Sequence, residues 1–181
     1  MRERTSSSTI IVMTSGNSIQ PQWLPIIDSD LDIINRIADE VHTSLPERPE
    51  VFAEKSKLFP AGCRKFVYKG KTVGYGFSHP WSLNSIPPLD TFLENLPEDP
   101  ECIYIHDVVV LPQARGKGAA AAYISYLEHV ASNLGIDTMA LVSVYGTDRL
   151  WSRFGFRIAH STEVDKKLSS YGPTAKYMIR K

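Results

Sequence analysis

Val108-Val109-Val110-Leu111-Pro112-Gln113-Ala114-Arg115-Gly116-Lys117-Gly118-Ala119-Ala120-Ala121-Ala122 is the stretch on which the reading of this 181-residue chain turns. Its first part completes an apolar, β-branched run over 103–111, which predicts a buried strand ended by Pro112. Its last part opens an alanine-rich segment that predicts a helix over about 116–133. Ile124, Leu127, Val130 and Leu134 make the apolar face of that helix, and Gly135 stands in the C-cap position. Between strand and helix lies a short turn. A helix start leaves backbone N–H groups without partners and carries the positive end of the macrodipole. Gly116 and Gly118 remove the Cβ atoms that would cover this main chain, and Arg115 and Lys117 add flanking charge. The small residues 119–122 leave room for a bulky ligand. Together these features predict a cradle for a diphosphate. The plain alternative is a strand-to-helix connection with basic residues at its surface.

Two other phosphate-binding patterns fit less well. A P-loop needs Gly-Lys-Ser/Thr, and Ala119 and Ala120 stand at the hydroxyl and neighbouring positions. A dinucleotide fingerprint belongs near the start of a βαβ unit, with an acidic residue ending the following strand. Here the turn lies well past the middle of the chain, and no such acid follows it.

Upstream of the turn, the Asp28-Ser29-Asp30 cluster offers N-cap oxygens to a helix over 31–42, in which Ile33, Ile34, Ile37 and Val41 recur at helical spacing. Pro46 and Pro49 break the chain before a second helix over 50–58. Runs over 64–68 and 72–77, joined by Lys69-Gly70-Lys71, predict a hairpin. Residues 79–100 carry Pro80, Pro87, Pro88, Pro97 and Pro100, which argues against regular sheet there; residues 90–96 are expected to make one or two helical turns. Downstream come a strand over 138–144, a short helix over 147–154 ended by Gly155, and strands over 156–159 and 175–179. Residues 1–9, rich in Ser and charge, are expected to be a disordered tail, and Ile10 to Met13 a short additional strand. Residues 10–181 then make a single domain of mixed α/β class, with helices covering a partly antiparallel sheet.

Composition sets outer bounds. Hydrophobic residues make up 43% and charged residues 22%, and the formal net charge is +0, so charge gives no argument for nucleic acid or an acidic membrane as partner. No apolar run approaches the roughly 20 residues of a membrane-spanning helix. The expected location is cytoplasmic, with the nucleus also open. Cys63 and Cys102 have no redox or metal spacing and are expected to be free core thiols. No His, Cys or Asp cluster has ligand spacing, so no metal is expected.

Gln113-Ala114-Arg115-Gly116-Lys117-Gly118 resembles the Gln/Arg-x-x-Gly-x-Gly/Ala motif of the GNAT superfamily of acyl-CoA N-acyltransferases. The flanks add to the resemblance. Ile105-His106-Asp107-Val108-Val109-Val110 is similar to that family's fourth strand, and Trp151-Ser152-Arg153-Phe154-Gly155-Phe156 to its aromatic-x-x-x-Gly-Phe segment. Residues 171–178 resemble the closing strand of one branch, so the likeness covers about residues 19–181. The resemblance implies a twisted, mostly antiparallel sheet whose fourth and fifth strands splay apart, with helices on both faces. It implies acetyl-CoA as cosubstrate, lying in that gap, and a primary amine as acceptor, attacked directly in a ternary complex. Main-chain groups of Val108, Val109 and Val110 would pair with the pantetheine arm. Gln113, Arg115, Gly116, Lys117, Gly118, Ala119 and Ala120 would hold the pyrophosphate, and a fourth-strand amide would polarise the thioester carbonyl. Ser143, Thr147 and Trp151 complete the expected cofactor-binding set, in a monomer or homodimer.

Acyl transfer to an amine needs a proton acceptor and an oxyanion donor, and the departing thiolate can use an acid. His106 stands where the family often carries a carboxylate and is the candidate base; the alternative is a structural histidine on a sheet. Asp107 is its neighbour, but adjacent strand residues face opposite ways, which argues against a His106–Asp107 dyad. The family's usual acid is a tyrosine four residues before the glycine of Gly-Phe. Trp151 is there instead, and an indole cannot serve. Tyr145 is the replacement candidate, with a rim aromatic as the alternative, and Ser143 and Thr147 are weaker hydrogen-bonding candidates. Glu47, Arg48, His79, Trp81 and Tyr171 are grouped as candidate acceptor-mouth residues. His42, His129 and His160 read as surface or helix-end residues. The rivals to amine acetylation are a CoA-binding module without transferase activity and an acyltransferase with another donor or a hydroxyl acceptor.

Overall fold

A computed structural model describes residues 20–181. The expected tail at 1–9 and strand at Ile10 to Met13 lie outside these residues. The chain runs β1 (Gln22–Pro25), α1 (Leu31–Val41), α2 (Pro49–Leu58), β2 (Cys63–Tyr68), β3 (Lys71–Trp81), β4 (Cys102–Val110), α3 (Ala119–Asn133), β5 (Met139–Ser143), α4 (Asp148–Ser152), β6 (Arg157–Ile158), α5 (Thr162–Leu168) and β7 (Lys176–Arg180). The seven strands form one sheet in the order β1-β2-β3-β4-β5-β7-β6. Every neighbouring pair is antiparallel except β4 with β5, which is parallel.

Alternation along the strands sorts side chains onto two faces. On one face Ile103, Ile105 and Leu141 meet Tyr123, Ile124, Leu127 and Ala131 of α3. On the other, Tyr75, Phe77 and Val109 meet Ile34, Ile37 and Ala38 of α1 and Phe52 of α2. Gly76 is what lets α3 lie close: a Cβ there would stand 2.5 Å from the Tyr123 ring.

Several elements depart from the sequence reading. Rather than ending at Phe77, β3 continues through His79 and Pro80 to Trp81. The proline is tolerated because Ile103, opposite it, donates its N–H the other way, to Thr138 O at 2.9 Å, so no ladder bond is asked of residue 80. Residues 90–96 form no helix. They are pinned instead, with Glu54 accepting from the N–H groups of Leu93 and Glu94 (2.8 and 2.7 Å). Helix α3 starts at Ala119, three residues later than expected, because Gly116 and Gly118 both have φ of 72°. Leu134 is exposed, and Tyr123 and Ala131 take its place on the buried face. The end of α3 is a Schellman motif: Ile136 N–H reaches Ala131 O and Gly135 N–H reaches Ser132 O. Helix α5 was not expected; it is announced by Ser161, whose Oγ accepts from Val164 N–H at 3.2 Å. Asp30 does not cap α1. Its carboxylate takes Ile27 N–H at 2.9 Å and the Lys65 ammonium at 2.7 Å.

Candidate active site

The parallel pair β4–β5 is in register only from Ile103↔Met139 to Ile105↔Leu141. Beyond that point β4 stays with β3 as far as Val110, and β5 stays with β7 as far as Ser143. Each strand follows its outer neighbour, and the two part. A cleft of about 730 Å³ opens along the gap, walled by Val108, Val109 and Val110 on one side and Leu141, Val142 and Val144 on the other.

At one end the cleft reaches the turn before α3. A Cβ built on Gly116 or Gly118 meets nothing within 4 Å, so both glycines face open space, and their left-handed φ disfavours a side chain on other grounds as well. The first bond inside α3 is Ala122 N–H to Gly118 O, which leaves the N–H groups before it free of helical partners. Arg115, Gly116, Gly118, Ala119 and Ala120 line this end. Arg115 folds back, its Nε donating to Val110 O at 3.1 Å. Gln113 and Lys117 are exposed and lie off the cleft wall, and the Lys117 ammonium rests 5.4 Å from the Tyr68 ring centre.

The α4 side supplies Thr147 and Trp151. Trp151 is packed edge-on against Phe154 and Phe156 and presents an apolar wall. Ser143, expected in the cofactor-binding set, is fully buried and does not line the cleft. Its Oγ lies 3.2 Å from Thr147 Oγ1, which itself donates to Val144 O.

The other end is polar, and a β-bulge makes it so. The β3–β4 register jumps from Ser78↔Ile105 to Phe77↔Asp107, leaving His106 as the extra residue. Consequently His106 and Asp107 both face the α1–α2 side, contrary to strict alternation. They still form no dyad with each other, because each has its own partner. His106 Nε2 meets Glu47 Oε2 at 2.8 Å, with both side chains almost wholly buried. Asp107 accepts from Tyr75 O–H at 2.7 Å and pairs with His42 Nε2 at 3.0 Å. The other ring nitrogen of His42 lies 3.3 Å from the Tyr145 hydroxyl, and the two rings stack.

Charges at this end are strongly coupled. Burial pushes the Glu47 carboxyl pKa up, but the charge of His106 and its hydrogen bond outweigh burial and hold it at about 2. Burial pulls the His42 pKa down, but the hydrogen bond and charge of Asp107 prevail and raise it above 6.5. His79 is buried and, with the charge of His106 near it, lowered to about 3.

Of the grouped acceptor-mouth residues, Glu47 and Tyr171 line the cleft. His79 and Trp81 do not, and Arg48 is committed to Asp90 at 2.9 Å. His129 and His160 are on the surface as expected. His42 is a helix-end residue, the C-cap of α1, but it is not on the open surface: Asp107 and Tyr145 lie against it. The Glu47–His106 and His42–Asp107 pairings span 59 and 65 residues, and no local pattern announces either.

The model of the acetyltransferase (GNAT) family matches residues 32–156. No curated protein sequence matches the chain. Among solved structures, Arabidopsis thaliana Naa50 in complex with the bisubstrate analogue CoA-Ac-MVNAL is similar, with TM-score 0.65 and 14% identity over 89% of this chain and 97% of that one. The ribosomal-protein-S18-alanine N-acetyltransferase from Escherichia coli gives TM-score 0.62 and 14% identity over 89% and 93%. The GphF GNAT-like decarboxylase in complex with isobutyryl-CoA gives 0.67 and 14% over 88% and 98%. At these identities the likeness is one of fold.

Proposed function

Because the chain belongs to the acetyltransferase (GNAT) family and is thereby an acyl-CoA-dependent acyltransferase, we propose that it moves an acetyl group from acetyl-CoA to a primary amine by direct attack in a ternary complex. The observation that carries this reading is the gap between β4 and β5, which ends on the bare glycine turn before α3. The N–H groups of residues 115–120 hold the pyrophosphate at the positive end of α3. The pantetheine arm runs along Val108 to Val110, competing with Arg115 for the Val110 carbonyl. This places the thioester beside His106 and Asp107, where a β4 amide polarises its carbonyl.

His106, oriented by Glu47, takes the proton from the attacking amine. Tyr145 gives one to the departing thiolate, a task the indole of Trp151 cannot perform. Direct transfer fits better than a thiol acyl-enzyme. Neither cysteine lines the cleft, and burial pushes both thiols up to about 12. The amine is favoured over a hydroxyl acceptor by the carboxylates Glu47 and Asp107, which bias the mouth toward cations.

The test is a screen for CoA release from acetyl-CoA over primary amines and peptides, with acyl-chain profiling and hydroxyl acceptors alongside. Amine-dependent release supports the reading. Binding of acetyl-CoA with no release for any acceptor would point to a binding module.

A further inference from the structure

Three groups from separate parts of the chain meet in a line at the acceptor end of the cleft: Asp107 of β4, His42 just after α1, and Tyr145 after β5. Resting on the acyl-transfer reading above, we infer that Asp107, His42 and Tyr145 form a proton relay, in which His42 is the positioning residue that decides whether Tyr145 can give its hydroxyl proton to the leaving thiolate.

The donor and acceptor inventory leads there. An ionised Asp107 only accepts, and one of its oxygens is taken by Tyr75 O–H at 2.7 Å. The His42 nitrogen facing the other oxygen, Nε2, therefore carries a proton. What varies is Nδ1. If it is protonated, it donates to the Tyr145 oxygen and leaves the phenolic proton free to turn into the cleft. If it is bare, it accepts that proton and withholds it from substrate. Ser44 Oγ lies 3.5 Å from the same phenol oxygen.

The backbone holds Tyr145 to this place. Its φ is +55°, uncommon for a residue with a Cβ, and Gly146 follows at +73°. The phenol lines the cleft, and although burial disfavours the His42 cation, the charged groups facing it favour it. These are the carboxylates of Asp107 from β4, tied to Tyr75 of β3, and Glu47 from the α1–α2 connection, and the Tyr145 hydroxyl lies at Nδ1.

The step balances. The amine nitrogen forms a bond to the thioester carbon, and the C–S pair leaves on sulfur. Sulfur takes the Tyr145 proton, and the phenolate oxygen takes the Nδ1 proton of His42. Asp107 stays ionised throughout. His42 regains a proton from solvent, matching the one that His106 removes from the amine.

The experiment uses hydroxylamine as acceptor, because it is largely unprotonated at neutral pH and makes little demand on the base. Enzyme-dependent CoA release is followed against pH for the wild-type chain, His42→Gln, Tyr145→Phe and the double variant. Acetyl-CoA binding is measured on each by calorimetry, and the His42 imidazole is titrated by NMR in the wild-type and Asp107→Asn chains. The relay predicts a wild-type rate that falls as pH rises above 6.5, following the His42 titration, and a lower His42 pKa in Asp107→Asn. It predicts that His42→Gln flattens this fall and lowers kcat by about 10-fold, that Tyr145→Phe lowers it by about 100-fold, and that the double variant is no worse than Tyr145→Phe. A His42→Gln profile that keeps the wild-type shape, additive losses in the double variant, or a His42 that titrates below 6.5 would overturn it. A wild-type chain that binds acetyl-CoA but releases no CoA with hydroxylamine or with any amine or peptide of the screen above overturns the transfer reading itself, and the relay with it.

Discussion

His106 Nε2 lies 2.8 Å from Glu47 Oε2, joining the bulge of β4 to the connection between α1 and α2 across 59 residues of sequence. The contact fixes one imidazole nitrogen and leaves the ring standing in the wall of the cleft. A carboxylate behind an imidazole both orients the ring and stabilises the imidazolium that forms when the ring takes a proton.

If His106 is the base, His106→Ala lowers kcat/KM by about 100-fold near pH 7 and by less at high pH, where the acceptor amine is already deprotonated. Glu47→Gln produces a smaller loss in the same direction. A pH–rate profile measured with one fixed amine checks both. A loss for His106→Ala that is the same at every pH removes His106 from this role.

The same pair governs acid stability. The Glu47 pKa is depressed from 4.5 to about 2 in the fold, so its contribution is present above pH 4.5 and is lost as pH falls toward 2. The shift corresponds to roughly 3 kcal/mol. His79, depressed from 6.5 to about 3, acts in the same sense: it resists protonation in the fold, and stability declines as pH falls below 6.5. Urea unfolding followed from pH 6 to pH 2, below the range in which the raised His42 pKa acts in the opposite sense, should show a stability that falls throughout. Glu47→Gln should be less stable than wild type at pH 7, by at most about 3 kcal/mol, and should converge on it near pH 2.

At the other end of the cleft, Gly118 holds φ of 72° at the start of α3 with open space where a Cβ would stand. Gly118→Ala is expected to cost about 1–2 kcal/mol of stability through the left-handed backbone. It should also weaken acetyl-CoA binding by about 10-fold, because the methyl group enters the space proposed for the diphosphate. Thermal unfolding and calorimetry separate the two effects.

How much of this was legible in the sequence depended on how local the cause was. Ile34 and Ile37 recur at helical spacing and are buried in α1, and Gly135 ends α3 as its position suggested. The turn at Gly116 and Gly118 was readable for the same reason: φ, missing Cβ atoms and helix dipole are all set within a few residues. Pro80 misled, because whether a strand tolerates proline depends on which way the opposite residue, Ile103, directs its N–H. The facing of Asp107 misled for a related reason. Strict alternation fails at a bulge, and the bulge at His106 is a property of the β3–β4 pairing, not of either strand alone. Glu47 was placed at the acceptor mouth from its loop, but its pairing with His106, like the entry of His42 into the site, arises only when α1 and its following loop fold over β4, and nothing near either residue in sequence carries that information.

The most direct test of the central claim is isothermal titration of the intact chain with CoA and acetyl-CoA. A parted sheet ending on a bared helix start predicts saturable binding at micromolar concentration for both ligands, weakened in Gly118→Ala. No heat of binding for either ligand at high micromolar concentration would contradict the account.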